Sequence, residues 1–250
     1  MITLGIIGVV AAMTIPTLIS NYQEKQTVSK LQKVYATLKN ALEMAKVDNG
    51  DYDTWSWNQI PQTDSKRIQY FWETYGFPYL KVAKKCFPDT APCRSQFRIN
   101  DTALSSNSGT NNGAFILNDG VSVFSWAGGD AFFPHIWVYA DINGDAKPNE
   151  LGKDIFVMYF SPKNPGDKIG SFDDDGNFVD SGNVIEYGYG LTLYGEANGV
   201  TVDDLLDPNF IMQSVTGGNT NISCTKSGRR QTCGAAIKLN NWKIPDGYLE

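Results

Sequence analysis

An acidic, amide-rich segment carries the clearest metal-binding chemistry in this sequence. Asp141, Asn143 and Asp145 alternate with other residues, and Asn149 and Asp154 follow shortly afterwards. Hard cations such as Ca²⁺ take about six to eight oxygen ligands, and loops of this alternating type supply them. We therefore predict a calcium site, with these five residues as its candidate ligands.

The match of this segment to an EF-hand loop is incomplete. Ala146 stands where that loop needs glycine, and Gly152 stands where it needs a bidentate glutamate, which Asp154 would have to replace. The alternative interpretation is a polar turn in which Asp141 and Asn143 bind their own backbone.

Residues suited to catalysis are scarce. The only histidine, His135, follows an apolar Phe-Phe-Pro segment and precedes a β-prone run, so we expect it to be structural. There is no G-x-S-x-G elbow, and Gly188-Tyr189-Gly190 lacks the Lys-Ser/Thr of a phosphate loop. A second acidic segment, residues 173–177, is typical of a solvated turn, with a weaker calcium site as the alternative. We predict that the chain is not an enzyme and that calcium is its only candidate cofactor.

The cysteines form two local pairs, Cys86 with Cys93 and Cys224 with Cys233. Structural zinc usually binds cysteines about two to four residues apart, and both gaps here are longer. Outside the cytoplasm such thiols form disulfides. We favour the two local bridges, with crossed pairing as the alternative.

Six tryptophans suggest sugar binding as a hypothesis, because flat rings stack on sugar faces. Trp126, Trp137 and Trp242 lie in apolar stretches, and we assign them to the core. Trp55 and Trp57 are the pair best placed for partial exposure, but we favour packing of their loop over the long helix.

One long helix must precede these residues. Residues 1–19 carry no charge, and at about 1.5 Å per residue they would reach across the hydrocarbon core of a bilayer. An amphipathic stripe follows and stops at Asn49-Gly50. We divide this helix, residues 1–48, into a membrane or filament half (1–19) and an amphipathic half (20–48). The first half contains small residues suited to close helix packing, namely Gly5, Gly8, Ala11 and Ala12. It also contains Pro16, which we expect to kink the helix.

The remaining residues, 49–250, are predicted to form an α+β head domain. β-prone runs at 114–117 and 121–126 flank a turn, and two more follow at 136–140 and 154–160. Because no helical pattern separates them, the sheet should be antiparallel. Smaller predicted elements are an interrupted helix at 65–85, a strand at 191–194, a short helix within 202–215, and a helix or edge strand at 233–242. The net charge of −6, without a long Lys/Arg run, argues against nucleic acid as a partner.

The segment LGIIGVVAAMTIPTLISNYQEKQTVSKLQKVYATLKNAL resembles the N-terminal helix of type IV pilins and type II secretion pseudopilins. The blocks PYLKVAKKC, YADINGDAKPNELGKDIFVMYF and CGAAIKLNNWKIPDGY are similar to blocks of a pilin-like branch of type II secretion proteins. Loops that bind calcium also occur in related pseudopilins. The resemblance implies a pilin-like fold, in which a long helix packs on an antiparallel sheet with disulfide-pinned loops.

The same resemblance implies a structural role at a membrane. The subunit would span the bacterial inner membrane once, with its C-terminal domain in the periplasm or outside the cell. It would then join a type IV pilus or a secretion pseudopilus. Its partners would be other pilin or pseudopilin subunits and the inner-membrane assembly platform.

One feature of that class is absent from this sequence. Its processing motif, a glycine followed by Phe-Thr-Leu and then a glutamate after a basic leader, does not precede the helix, so we expect a truncated or misplaced start. Prepilin peptidase is an expected partner if the natural start carries the leader. The alternatives are an ordinary signal-anchor helix and a helix-anchored surface module that binds glycan or protein, supported by calcium.

Overall fold

The computed structural model describes residues 2–61, 66–87, 98–99, 102–103, 112–128, 134–144, 146–164, 167–172, 178–184, 189–197, 199–213 and 219–250. Side chains are described within these ranges except at residues 2–11, 17, 98–99, 102–103, 112, 168–172, 178–184, 211–213 and 219–221.

Helices and strands of this part of the chain have the following bounds. The helices are α1 (Ile2–Asn49), α2 (Lys66–Phe71), α3 (Val202–Leu206) and α4 (Cys233–Leu239), with a π-helical turn (Trp72–Gly76) and 3₁₀ turns (Tyr52–Thr54, Ser56–Gln59, Phe77–Tyr79). The strands are β1 (Val82–Cys86), β2 (Arg98–Ile99), β3 (Thr102–Ala103), β4 (Asn112–Leu117), β5 (Ser122–Gly128), β6 (His135–Asp141), β7 (Ile155–Ser161), β8 (Lys168–Phe172), β9 (Phe178–Val184), β10 (Gly190–Leu193), β11 (Ile211–Gln213) and β12 (Asn219–Asn221).

Six strands form the main sheet, in the order β1-β4-β5-β6-β7-β10, and every neighbouring pair is antiparallel. The predicted hairpin is β4–β5, where Gly120 takes a positive φ in the turn. The long helix and this sheet confirm the α+β class.

The second half of helix α1 packs on the core. Its buried stripe consists of Val28, Leu31, Val34, Tyr35, Leu38, Ala41, Leu42 and Ala45. The helix ends where the sequence predicts. Gly50 has φ +85°, its backbone N–H donates to the Lys46 carbonyl over 3.0 Å, and the Asn49 amide donates to the Ala45 carbonyl over 2.8 Å. The helix also continues through Pro16.

An aromatic cluster forms much of the core beyond α1. Trp55 stacks on Tyr75 with ring centroids 3.9 Å apart, and both Trp55 and Trp57 are within 6.3 Å of the Phe160 ring centroid. Trp55 and Trp57 are 2% and 0% exposed, so the pair is packed in the core and not exposed, in line with the favoured interpretation. The two 3₁₀ turns direct both indoles inward.

One smaller prediction needs correction, and three others agree with the structure. The helix expected over 65–85 stops early, because the Gly76-Phe77-Pro78 segment interrupts it, and Val82–Cys86 instead pairs with β4 as an edge strand. The short helix expected within 202–215 is α3, which Thr201 and Asp204 begin with a reciprocal capping box. Residues 233–239 are helical, and β10 matches the strand predicted at 191–194.

Candidate functional site

The acidic, amide-rich segment forms the connection between β6 and β7. Asp141 ends β6, Asp154 immediately precedes β7, and the two flank the turn residues between the strands. Asp141, Asn149 and Asp154 are only 6%, 4% and 3% exposed. Buried polar side chains at these positions require partners.

Asp154 supplies many of those partners. Its Oδ2 accepts hydrogen bonds from Asn143 Nδ2 (3.0 Å) and the Asn149 backbone N–H (2.8 Å). Its Oδ1 accepts one from the Glu150 N–H (2.7 Å). Asp141 Oδ1 accepts from the Asn143 N–H over 3.1 Å, as the polar-turn alternative predicts. The two carboxylates therefore shape the loop through hydrogen bonds with its own groups.

Two amide oxygens in the same loop are buried without a hydrogen bond. Asn143 Oδ1 and Asn149 Oδ1 have no partner within the described part of the chain, although both residues meet at Asp154 Oδ2. A bound cation would satisfy such oxygens. Of the predicted ligands, Asp145 lies outside the described residues. No group of three or more His, Cys, Asp or Glu suited to a metal occurs among the described ones, so two carboxylates and two amides form the candidate donor set.

A cluster of charged side chains lies at the C-terminal part of this loop. Glu150 Oε2 lies 2.8 Å from Lys153 Nζ and 3.2 Å from Arg230 Nη1. The pKa of Glu150 is lowered, mainly by its hydrogen bond with Lys153. Burial acts in the opposite direction, but the charges of Lys153 and Arg230 lower the pKa further. Arg230 was not among the predicted site residues. It is 80 residues from Glu150, and no local sequence pattern links the two.

The loop also packs on the C-terminal disulfide. Cys224 and Cys233 are bonded to each other, which confirms one predicted bridge. Gly152 has φ +83°, and a Cβ there would lie 2.7 Å from Cys233 Sγ. The Tyr248 hydroxyl donates to the Gly152 carbonyl over 2.5 Å, and burial raises the pKa of Tyr248, so this donor keeps its proton.

The structure describes only one of the two cysteines of the other predicted bridge. Cys86, the last residue of β1, takes part in a disulfide. Cys93, its expected partner, lies outside the described residues, as does the second acidic segment, 173–177.

Aromatic rings line one face of the sheet, about four residues along the strands from this loop. Trp126, Trp137 and Tyr159 occupy facing positions on β5, β6 and β7. The two indoles stack at 5.8 Å, and the His135 ring stacks on Tyr159 at 5.2 Å. His135 therefore packs among rings, which agrees with a structural role. Trp126 and Trp137 are not fully buried, so assigning them to the core is wrong in part.

The predicted assembly residues lie on the first half of α1. Gly5, Gly8 and Ala11 lie where only the helical backbone is described, while Ala12 and Pro16 are exposed. Within the described residues, no helix is both long enough and apolar enough to cross a membrane.

Comparison with known proteins gives one family. No curated protein and no solved structure matches the chain. Residues 17–177 match the model of DUF6613, a family of unknown function, over a span that includes the second half of α1, the sheet through β7 and the whole polar loop. Because this span exceeds half of the sequence, the chain belongs to the DUF6613 family.

Proposed function

We propose that this chain is a pilin-like structural subunit that assembles through α1 into a type IV pilus or a type II secretion pseudopilus. Before assembly it would be held in the bacterial inner membrane, with the head in the periplasm or outside the cell. The observation that carries the proposal is the division of α1 into a half packed on the head and a half whose described large apolar side chains, Met13, Ile15, Leu18 and Ile19, are exposed.

The exposed fraction of the apolar side chains differs between the two halves of α1. Met13, Leu18 and Ile15 are 74%, 70% and 51% exposed, whereas Leu31 and Leu38 are fully buried. The uncharged part of the helix, residues 2–19, extends for about 27 Å at 1.5 Å per residue. Apolar side chains along such a length need either lipid or other protein to cover them. A membrane before assembly and neighbouring helices afterwards would supply both.

Two further observations support a pilin-like subunit over other membrane-anchored proteins. The segment that resembles the pilin N-terminal helix is helical without interruption, and its second half lies against an antiparallel sheet. Small residues in the first half, including Gly8 and Ala12, would allow helices of neighbouring copies to approach closely.

The test is assembly of the full chain after detergent is removed. We expect regular filaments or defined oligomers, seen by electron microscopy and sedimentation. Met13→Gln with Leu18→Gln should abolish them, because the partner surface of α1 becomes polar. The matched control is Met44→Gln with Val47→Gln, which changes exposed apolar residues on the packed half and should assemble normally. Equal loss in both pairs, or only amorphous aggregates from the native chain, would contradict the proposal.

A second candidate function is a helix-anchored binding module supported by calcium. The unpartnered oxygens of Asn143 and Asn149 favour it, and the half-buried Trp126 and Trp137 would offer a surface for glycan or protein.

Calcium binding can be tested at Asn149. In Asn149→Gly the oxygen is lost, but the left-handed backbone (φ 54°) is tolerated. If calcium binds, Ca²⁺ at one hundred times its Kd should add about 2.7 kcal/mol to the free energy of unfolding of the native chain and so raise its Tm. The Tm of the variant should not change. Asn241→Gly, at φ 55° outside the loop, is the control. A native Tm that is the same in Ca²⁺ and in EDTA would eliminate the site.

A further inference from the structure

The head has two grooves where α1 leaves it. The first, about 520 Å³, lies between α1 and the segment Trp242–Ile244, and its lining includes Lys25 and Lys243. The second, about 310 Å³, lies between α1 and the β6–β7 loop, and its lining includes Lys30. The helix therefore emerges with a groove and a lysine on either side.

Among the described residues, these lysines have no oppositely charged partner. Lys25, Lys30 and Lys243 form no ion pair with any residue that the structure describes. The acidic groups lining the grooves are Glu24, which accepts a hydrogen bond from Ser20, and Asp154, whose oxygens are taken by loop donors. Lys153 also lines the second groove, so lysines outnumber carboxylates in the two linings, in a protein of net charge −6.

Aromatic side chains accompany the lysines. Tyr22 is 62% exposed on α1, and Trp242 is half-buried, with its ring centroid 6.0 Å from that of Tyr35. Tyrosine and tryptophan concentrate at the boundary between lipid tails and water, because their rings are apolar and their tips are polar. We call Tyr22, Lys25, Lys30, Trp242 and Lys243 the basal collar.

We propose that the basal collar binds the anionic headgroups of a lipid bilayer and seats the head on the membrane surface. This inference rests on the proposed membrane-held state and adds to it a lipid class and a set of residues. Lys25 lies about 9 Å along the helix from Ile19, where the uncharged segment ends. The headgroup region is about 5–7 Å thick on each side. Helical side chains lean towards the N-terminus and lysine stems are long, so Lys25 would reach the headgroups. Lys30, about 17 Å from Ile19, would attract them through its charge over a longer distance.

The test measures partition of the full chain into vesicles of phosphatidylcholine with and without phosphatidylglycerol. At low salt, anionic vesicles should bind the native chain about tenfold more strongly than neutral ones, and this preference should decrease as salt is added. The variant Lys25→Gln/Lys30→Gln/Lys243→Gln should lose the preference and keep its binding to neutral vesicles. The control Lys39→Gln/Lys84→Gln/Lys163→Gln removes the same charge from residues that line neither groove and should keep the preference.

The outcomes separate this inference from the proposed function. Equal binding of the native chain to both vesicle types overturns the collar but leaves the helix anchor intact. Binding to anionic vesicles alone supports the collar and contradicts an anchor through α1, whereas binding to neither contradicts both. Brominated phosphatidylglycerol should also quench the tryptophan fluorescence of the native chain, and this quenching should fall in Trp242→Phe. Unchanged quenching in that variant would count against a collar that includes Trp242.

Discussion

At the scale of single residues, Asp154 organises the β6–β7 loop through its hydrogen bonds. It fixes Asn143, Asn149 and Glu150, and in doing so it leaves two amide oxygens buried and without a donor. A cost of about 1–3 kcal/mol is typical for an unsatisfied buried polar group. This is the physical reason to test the loop for a cation.

Gly152 is the most constrained small residue beside that loop. In Gly152→Ala, the new Cβ would lie 2.7 Å from Cys233 Sγ and 3.1 Å from Leu249, at a φ of +83° that alanine adopts poorly. We expect a loss of more than about 2 kcal/mol in the free energy of unfolding, measured with urea. Gly247→Ala has a similar φ, +80°, and no atom within 4 Å, so it should cost only about 1 kcal/mol. Equal losses would show that the contact with the disulfide is unimportant.

At the scale of elements, α1 has two different tasks along one continuous helix. Its second half contributes to the core of the head, and the described large apolar side chains of its first half, at positions 13, 15, 18 and 19, are exposed. The expected effects of mutations therefore differ between the two halves.

Leu38 tests the packed half. The side chain is 0% exposed, so Leu38→Ala should lower the free energy of unfolding by about 2–5 kcal/mol through lost burial and a cavity. Val47→Ala, at an 85% exposed position on the same helix, should change it by no more than about 0.5 kcal/mol. Urea titration of both variants measures the difference, and a mild Leu38→Ala would mean that α1 is loosely attached.

An ion pair ties α1 to the β4–β5 turn and gives stability a dependence on pH. Lys33 Nζ lies 2.7 Å from Asp119 Oδ2. Burial raises the pKa of Asp119, but Lys33 and the Val121 N–H outweigh it, so the pKa is lower than usual. The carboxylate therefore favours folding at neutral pH. This contribution declines as the pH falls below about 4, the ordinary carboxyl value, and is lost below the lowered pKa.

Asp119→Asn should remove that contribution. We expect a loss of about 0.2–1 kcal/mol at pH 7, because the pair is largely exposed, and no difference from the native chain well below pH 4. Unfolding by urea at both pH values measures it. A deficit that persists unchanged in acid would assign the effect to the turn and not to the charge.

At the scale of the whole molecule, assembly and folding should be separable. Gly8→Leu places a large side chain where α1 would meet the helices of neighbouring copies, so we expect impaired assembly with an unchanged Tm of the head. Ala36→Leu makes a small residue large at an exposed position of the packed half and should assemble normally. Normal assembly of the Gly8→Leu chain would count against helix packing as the basis of the filament.

Local patterns in the sequence were enough to predict the long helix, its end at Asn49, the antiparallel sheet and, as the alternative to a calcium site, a turn in which Asp141 binds its own backbone. These features depend on side-chain periodicity and turn residues, which act over a few positions. Short-range signals also favoured the Cys224–Cys233 bridge, because its cysteines are only nine residues apart.

Only the tertiary structure decided which tryptophans are buried, where β1 lies and what surrounds the polar loop. Trp55 and Trp57 are enclosed by Tyr75 and Phe160, which come from distant parts of the chain. Likewise, the grooves of the basal collar exist because Trp242 and the β6–β7 loop are brought beside α1 by folding. Burial and pocket formation depend on contacts between residues far apart in sequence, and local composition does not specify those contacts.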